Sequence, residues 1–166
     1  MILGVDTGAA GGIVGLDPFV GMFAARADGP DGYHEHPERL RDLVAGWWRS
    51  TPAGSPGVVA FIERPGGARS AKAVAGMHRS FGEVRAVLRC AGFDVLEVTP
   101  NEWRRGLGLP LQGGQTKADA LAHVEATLPR LPLIPARCRV PHEGIVDAAC
   151  LALYGRLFYN RRAVNG

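Results

Sequence analysis

The chain has 166 residues and a mass of 17.6 kDa, and 46% of its residues are hydrophobic, which excludes a disordered chain and predicts a single domain over residues 1–166. The net charge of +3 and the pI of about 9.0 are compatible with a nucleic-acid ligand but do not establish one. No apolar run approaches the roughly 18–20 residues of a membrane span, and the first residues lack the basic segment of a signal peptide. We therefore expect a cytoplasmic protein with no membrane partner.

Two further features of the composition bear on function. All but two of the 19 Lys and Arg residues are arginines, which suit bidentate phosphate contacts, although a GC-rich genome gives the same bias. Cys90, Cys138 and Cys150 are far apart and form no CxxC pair. We expect them to be ordinary reduced residues rather than ligands of zinc or parts of a disulfide framework.

The first elements along the chain are three predicted strands. Residues 1–6 are apolar, a turn of small residues follows, and residues 13–16 and 20–25 continue the pattern. Asp17 and Pro18 separate the second strand from the third. These strands predict an antiparallel meander.

Helices and strands alternate over the rest of the chain. The predicted elements are a helix from Pro37, a strand at 58–62, a helix at 71–91 that ends at Gly92, a strand at 93–98, a short helix from Thr99, a helix from Thr116 to about Leu128, and a helix from about His142 to Tyr159. This order predicts one α/β domain.

Four acidic residues stand at the ends of otherwise apolar segments. Asp6 ends the first strand, Glu63 follows residues 58–62, and Glu143 and Asp147 are spaced by four on the last helix. Each acid has an ordinary explanation: a turn contact for Asp6, a pair with Arg64 for Glu63, and the helix dipole for the other two. Taken together, carboxylates from three segments favour a divalent metal site, because buried acids need neutralisation.

The segments that carry these acids resemble a known family. They are similar to RuvC-type Holliday junction resolvases of the ribonuclease H-like superfamily, most nearly to the variant found in phages and prophages. The resemblance covers about residues 1–159 and lies in residues 2–8, 12–17, 61–65, 80–82, 98–104, 116–120 and 142–148, in the same order.

The resemblance implies a mixed sheet of about five strands with helices on both faces. It implies that Asp6, Glu63, Glu143 and Asp147 bind two Mg²⁺ or Mn²⁺ ions per active site. The implied activity is paired nicking of four-way or otherwise branched DNA by a homodimer, leaving 5′-phosphate and 3′-hydroxyl ends. The apolar helix around Phe81–Leu88 is the implied dimer face.

The sequence departs from the family pattern at three points. Glu143 stands where Asp is usual, and Gly144 stands where other members have an acid or His three residues before the final Asp. Whether His142 is a metal ligand, a phosphate contact or a helix cap therefore stays open, although spacing favours Glu143 over His142 as the more important ligand. Residues 64–67 lack the aromatic wedge of bacterial members, so junction opening must work in another way or be weaker.

Cations and tryptophans complete the candidate residues. Lys117 lies in the first turn of a helix, where it opposes the helix dipole, and the resemblance gives it a catalytic or phosphate-binding role; an ordinary surface lysine is the alternative. The tryptophans at 47, 48 and 103 are expected in a core or interface. The candidate DNA-binding residues, each of which could also be an ordinary surface charge, are Arg64, Arg69, Lys72, Arg104, Arg105, Lys117, Arg137 and Arg139.

Other functions remain open from the sequence. A related nuclease could act on other branched DNA or on RNA–DNA hybrids. Residues 6–12 also resemble the first phosphate loop of actin-like and sugar-kinase domains. That fold normally needs two such domains, and one 166-residue chain without a second Gly-rich phosphate loop argues against it. A non-catalytic DNA-binding relative is disfavoured because all four acids are present.

Overall fold

The computed structural model describes residues 1–17, 21–28, 33, 36–50, 57–66, 70–111 and 116–165. In these parts of the chain it has five strands and five helices, in the predicted order. They are β1 (Ile2–Asp6), β2 (Gly12–Asp17), β3 (Gly21–Arg26), α1 (Pro37–Ser50), β4 (Val59–Glu63), α2 (Ala71–Cys90), β5 (Asp94–Val98), α3 (Pro100–Gly106), α4 (Thr116–Thr127) and α5 (Glu143–Asn165).

The strands form one mixed sheet in the order β3-β2-β1-β4-β5. β1, β2 and β3 pair antiparallel, as the predicted meander requires. β4 pairs parallel with β1, and β5 pairs parallel with β4. The carboxyl ends of β1, β4 and β5 therefore share one edge of the sheet with the start of β2 and the end of β3.

Helices cover both faces of the sheet, which confirms the predicted α/β architecture. Leu3 and Val5 of β1 pack with the apolar sides of α1 and α2. The other face carries α3, α4 and α5, and residues Ala148–Leu153 of α5 are almost completely buried there. Burial of these two apolar layers is the main stabilising contribution of the fold.

Small residues bring α5 unusually close to β1 and β2. A Cβ on Gly4 would overlap the carbonyl oxygen of Ala148 and the amide nitrogen of Ala152. Gly144 forms an isolated parallel bridge with Gly11, and a Cβ on Gly144 would overlap backbone atoms there. The first turns of α5 are consequently held against the sheet edge where β1 ends.

Two details correct the sequence-based expectations. The last helix continues to Asn165 rather than ending at Tyr159. Phe81, Val84 and Leu88 do not form an exposed dimer face, because they are buried against this chain's own sheet. A periodic apolar stripe identifies the buried side of a helix but not what covers it.

Several other expectations concern single residues or short segments. Trp103 is buried, as expected, and the three cysteines are free. The predicted start of the third strand at residue 20 and the candidate Arg69 lie outside the described residues. Among the described helices, none combines the length and apolar character needed to cross a membrane.

Candidate active site

Asp6 and Glu63 end neighbouring parallel strands on the same face of the sheet. They directly follow the last registered pair between β1 and β4, Val5 and Ile62. Side chains two residues apart in a strand share a face, and Gly4 lies against α5. Asp6 is therefore on the α5 face, and so is Glu63, because Phe61 contacts Gly155 of that helix.

Asp147 joins them because α5 begins at the same edge of the sheet. The backbone carbonyl of His142 accepts hydrogen bonds from the amides of Ile145 (3.0 Å) and Val146 (3.1 Å), which starts the helix. Asp147 follows one turn later, on the side of α5 that packs on the strands. The charge of Asp147 raises the pKa of Glu63, and the charge of Asp6 raises the pKa values of both Glu63 and Asp147. The structure therefore brings these three predicted ligands near one another.

The three carboxylates oppose each other's ionisation. Burial, reinforced by the charges of Asp6 and Asp147, raises the pKa of Glu63 to about 7 against the opposing hydrogen bond from Trp103. Burial and the charge of Asp6 raise the pKa of Asp147 to about 6. Burial also raises the pKa of Asp6, although the Gly8 amide donates to Oδ1 at 3.0 Å and lowers it. The repulsion among three partly buried acids in this state is relieved either by a proton or by a bound cation.

The donor set fits a divalent metal in chemistry and charge. Carboxylate oxygens are the hard ligands that Mg²⁺ and Mn²⁺ prefer. In the described part of the chain, however, no three acid, His or Cys side chains already form a compact ligand cluster. The residues that would hold the metal are thus gathered at one edge, without a closed coordination shell.

Glu143 is mostly exposed, although its charge also raises the pKa of Asp147. Its side chain is 68% exposed and forms an ion pair with Lys117, which is 73% exposed. The hydrogen bond with Glu143 raises the pKa of Lys117, and the ammonium lowers the pKa of Asp147. The structure therefore places Lys117 beside the carboxylates, with Glu143 as its partner.

His142 occupies a more enclosed position than Glu143. Its side chain is 11% exposed, and Nε2 lies 2.8 Å from Oδ1 of Asp28, just beyond β3. Its backbone amide donates to the carbonyl of Leu133 at 2.9 Å. Nδ1 is buried and has no hydrogen-bond partner among the described residues. No pattern in the sequence indicates the partner Asp28, which is separated from His142 by 114 residues.

Trp103 is a second residue at the site whose role the sequence did not reveal. Its indole Nε1–H donates to Oε2 of Glu63 at 2.8 Å and fixes that carboxylate. α3 begins with a capping box between Thr99 and Glu102, and this turn places the indole. The capping motif and the need of a buried indole N–H for an acceptor could have indicated such a contact.

The predicted DNA-binding cations differ in their relation to the site. Arg104 stacks on Trp103 with its guanidinium carbon 4.5 Å from the ring centre, and its charge lowers the pKa of both Glu63 and Asp147. Arg64 is exposed and pairs with Glu97 at 3.4 Å. The remaining described candidates are exposed: Lys72, Arg105, Arg137 and Arg139.

The five-stranded mixed sheet in the order β3-β2-β1-β4-β5, with helices on both faces, matches a ribonuclease H-like fold. Two solved structures of RuvC from Thermus thermophilus share it. One is in complex with a Holliday junction substrate (15% identity, TM-score 0.62, covering 96% of this chain and 95% of that one), and the other has 17% identity, a TM-score of 0.59 and coverage of 97% and 96%. No protein-family model and no curated protein matches the sequence. The resemblance to RuvC is confirmed in the fold over nearly the whole chain.

Proposed function

We propose that the protein is a metal-dependent endonuclease that resolves four-way DNA junctions, a crossover junction endodeoxyribonuclease. The observation that carries this proposal is the meeting of Asp6, Glu63 and Asp147 at one sheet edge of a RuvC-like fold, with each pKa raised. A cation relieves that repulsion and attracts a phosphate to the same place. One structural neighbour, a RuvC in complex with a Holliday junction substrate, supports this choice of DNA.

The chain's own residues would bind and orient the reacting groups. Asp6, Glu63 and Asp147 would hold two Mg²⁺ or Mn²⁺ ions, with Glu143 and His142 as further candidate ligands. When bound, such ions would supply Lewis acidity at the scissile phosphate and an activated water. Hydrolysis would leave a 5′-phosphate and a 3′-hydroxyl without a covalent enzyme intermediate.

Two cations of the protein would act on the phosphate. Lys117 is exposed beside Asp147, and its ammonium, which is paired with the mostly exposed Glu143, would be available to a phosphate oxygen. Arg104 is held by its stack on Trp103 and by a hydrogen bond of 3.3 Å to the carbonyl of Thr116. Such a fixed guanidinium is suited to orient a phosphate.

Paired cutting requires two active sites. A four-way junction has two-fold symmetry, so a C₂ homodimer would place one site at each of two strands. Because Phe81, Val84 and Leu88 are buried within the chain, the dimer contact would use other residues.

Digestion of matched DNA substrates tests the proposal. Synthetic four-way junctions, linear duplex, forks and RNA–DNA hybrids should be compared with Mg²⁺ and with Mn²⁺. We expect the junction to be cut fastest, with no cutting by Asp6→Asn. Asp94→Asn is the matched control, because Asp94 is an exposed acid at the opposite edge of the sheet.

The outcomes separate the candidate activities. If hybrids or forks are cut faster than the junction, the protein is a nuclease of the alternative substrate class. If no substrate is cut, the nuclease proposal is overturned. A supercoiled plasmid with an extruded cruciform tests the dimer, since paired nicks give linear DNA and single nicks give open circles. Accumulation of open circles without linear product would contradict paired cutting.

A further inference from the structure

The side chain of His142 is held by an acidic residue that the metal-binding pattern does not include. Asp28 follows β3 and meets the imidazole Nε2 at 2.8 Å through Oδ1. Arg26 supports Asp28, with Nε 3.9 Å from the same oxygen, and is itself only 13% exposed. Arg26 also donates to the sulfur of Cys138 at 3.0 Å, which fixes its guanidinium.

The contact with Asp28 determines which nitrogen of His142 carries a proton. A carboxylate oxygen accepts but does not donate, so a contact of 2.8 Å requires hydrogen on Nε2. In the neutral imidazole, which has a single N–H, this leaves the lone pair on Nδ1. Nδ1 has no partner among the described residues, so this lone pair is not used within that part of the protein.

This tautomer distinguishes between the roles that the sequence left open for His142. A direct phosphate contact needs an N–H donor, and the Nε2 proton is already donated to Asp28. A side-chain cap would accept a hydrogen bond from an amide of the first turn of α5, but Nε2 meets Asp28 and Nδ1 has no partner among the described residues, so the imidazole does not cap the helix. A lone pair at Nδ1 suits a cation, and the backbone places His142 near Asp6, because Gly144 bridges Gly11 next to the Asp6–Gly12 pair.

We propose that Asp28 is a positioning residue, which holds the Nε2 proton of His142 and so leaves Nδ1 to ligate a divalent cation shared with Asp6. The proposal rests on the proposed function, because the cation is that of the nuclease site. Metal-ligating histidines commonly donate their other N–H to a carboxylate, which fixes the tautomer and the ring. Imidazole is a softer ligand than carboxylate and should favour Mn²⁺ over Mg²⁺.

The first measurement reads the tautomer without DNA or metal. Long-range ¹H–¹⁵N correlation spectra separate the two neutral imidazole tautomers, and the signals of His142, one of five histidines, are assigned by their loss in His142→Ala. We expect the Nε2–H tautomer in the wild type and a mixture in Asp28→Asn, because an amide can also donate to Nε2. Asp28→Glu keeps a carboxylate and should keep the Nε2–H tautomer.

The second measurement is Mn²⁺ affinity, followed by the electron paramagnetic resonance signal of the free ion. Loss of a carboxylate that orients a ligating histidine typically weakens metal binding by about 10–100-fold, which is the expected effect of Asp28→Asn. The double variant with His142→Ala should bind no more weakly than His142→Ala alone, because Asp28 acts through the imidazole. Asp94→Asn should bind as the wild type does.

The results separate this proposal from the proposed function. Wild-type Mn²⁺ affinity in Asp28→Asn, an unchanged tautomer, or additive losses in the double variant would each overturn the role of Asp28. A wild type that binds Mn²⁺ but cuts none of the DNA substrates would overturn the nuclease, while the Mn²⁺ titrations would still decide the role of Asp28. A wild type that binds no Mn²⁺ would overturn both.

Discussion

Replacing Glu63 by Gln should stabilise the metal-free protein while destroying its cleavage activity. Burial and the neighbouring acids raise the pKa of Glu63 from 4.5 to about 7, so the folded state holds this proton more tightly than the unfolded state. The stability associated with that proton is complete below about pH 4.5 and is lost as the pH rises through about 7. At about pH 8 the wild type must therefore fold with an unfavourable buried charge.

The size of the effect follows from the two pKa values. At 1.36 kcal/mol for each pKa unit, the interval from 4.5 to about 7 corresponds to about 3 kcal/mol. This is the upper figure, because part of the shift comes from Asp6 and Asp147, which also titrate. Gln has no charge, and its amide oxygen can still accept the indole N–H of Trp103. We expect Glu63→Gln to be more stable by up to about 3 kcal/mol at about pH 8 and nearly unchanged at about pH 4.5.

Urea unfolding in EDTA, followed by tryptophan fluorescence, measures this difference at both pH values. Glu97→Gln is the matched control, because the hydrogen bond from Arg85 lowers the pKa of Glu97. The ionised Glu97 stabilises the fold above its unfolded pKa, and this contribution is lost as the pH falls. Glu97→Gln should therefore show no increase in the free energy of unfolding at about pH 8. Mg²⁺ should stabilise the wild type and not Glu63→Gln. A Glu63→Gln protein that is less stable than the wild type at both pH values would refute the reasoning.

Four further results are expected. Asp6→Asn should abolish cleavage and leave junction binding intact or tighter in a calcium buffer, since its charge repels phosphate; near wild-type cutting would remove the metal-site assignment. Junction affinity should fall steeply with salt, with a log–log slope of about −0.9 for each phosphate neutralised, and a flat dependence would contradict a basic DNA-binding surface. His142→Ala should cost at least as much cleavage as Glu143→Gln, because Glu143 is mostly exposed; the opposite order in metal titrations would restore Glu143 as the main ligand. Gly144→Ala should lower the free energy of unfolding by about 1–3 kcal/mol through overlap with the backbone of Gly11. An unchanged urea midpoint would show that the backbone at Gly11 shifts to accept the methyl group without loss of stability.

The order of elements was predictable because the signals for it are local. Apolar runs, a proline at a helix start and a glycine past a helix end predicted the strands and helices, and most of their bounds to within a few residues. The acids at strand ends were visible for the same reason, since Asp6 and Glu63 each follow a short apolar run. The parallel pairing of β1 with β4 is not local and came only with the resemblance to RuvC.

The details of the site depend on contacts between distant segments, which no pattern in the sequence marks. The helical spacing of Glu143 and Asp147 predicted a shared face, and the charge of Glu143 does raise the pKa of Asp147, but its ion pair with Lys117 across 26 residues was not predictable. His142 was less favoured than Glu143 by spacing alone, and its contact with Asp28 changes that assessment. Long side chains near a helix start can point in several directions, and only packing decides among them.

The start of α5 combines close packing that stabilises the fold with carboxylates that destabilise it. The glycines at 4 and 144 and the alanines at 148 and 152 leave no space between helix and sheet, so a larger residue there must displace backbone. That close packing is what holds Asp147 beside Asp6 and Glu63, where the charge of one carboxylate raises the pKa of another. Neutral variants of the acids should therefore stabilise the metal-free fold, whereas larger residues at the glycines should destabilise it. Changes of opposite sign in the free energy of unfolding are expected when the carboxylates are retained to bind a cation rather than to stabilise the fold. If the acid and glycine variants all lowered the free energy of unfolding, these acids would instead serve the structure alone.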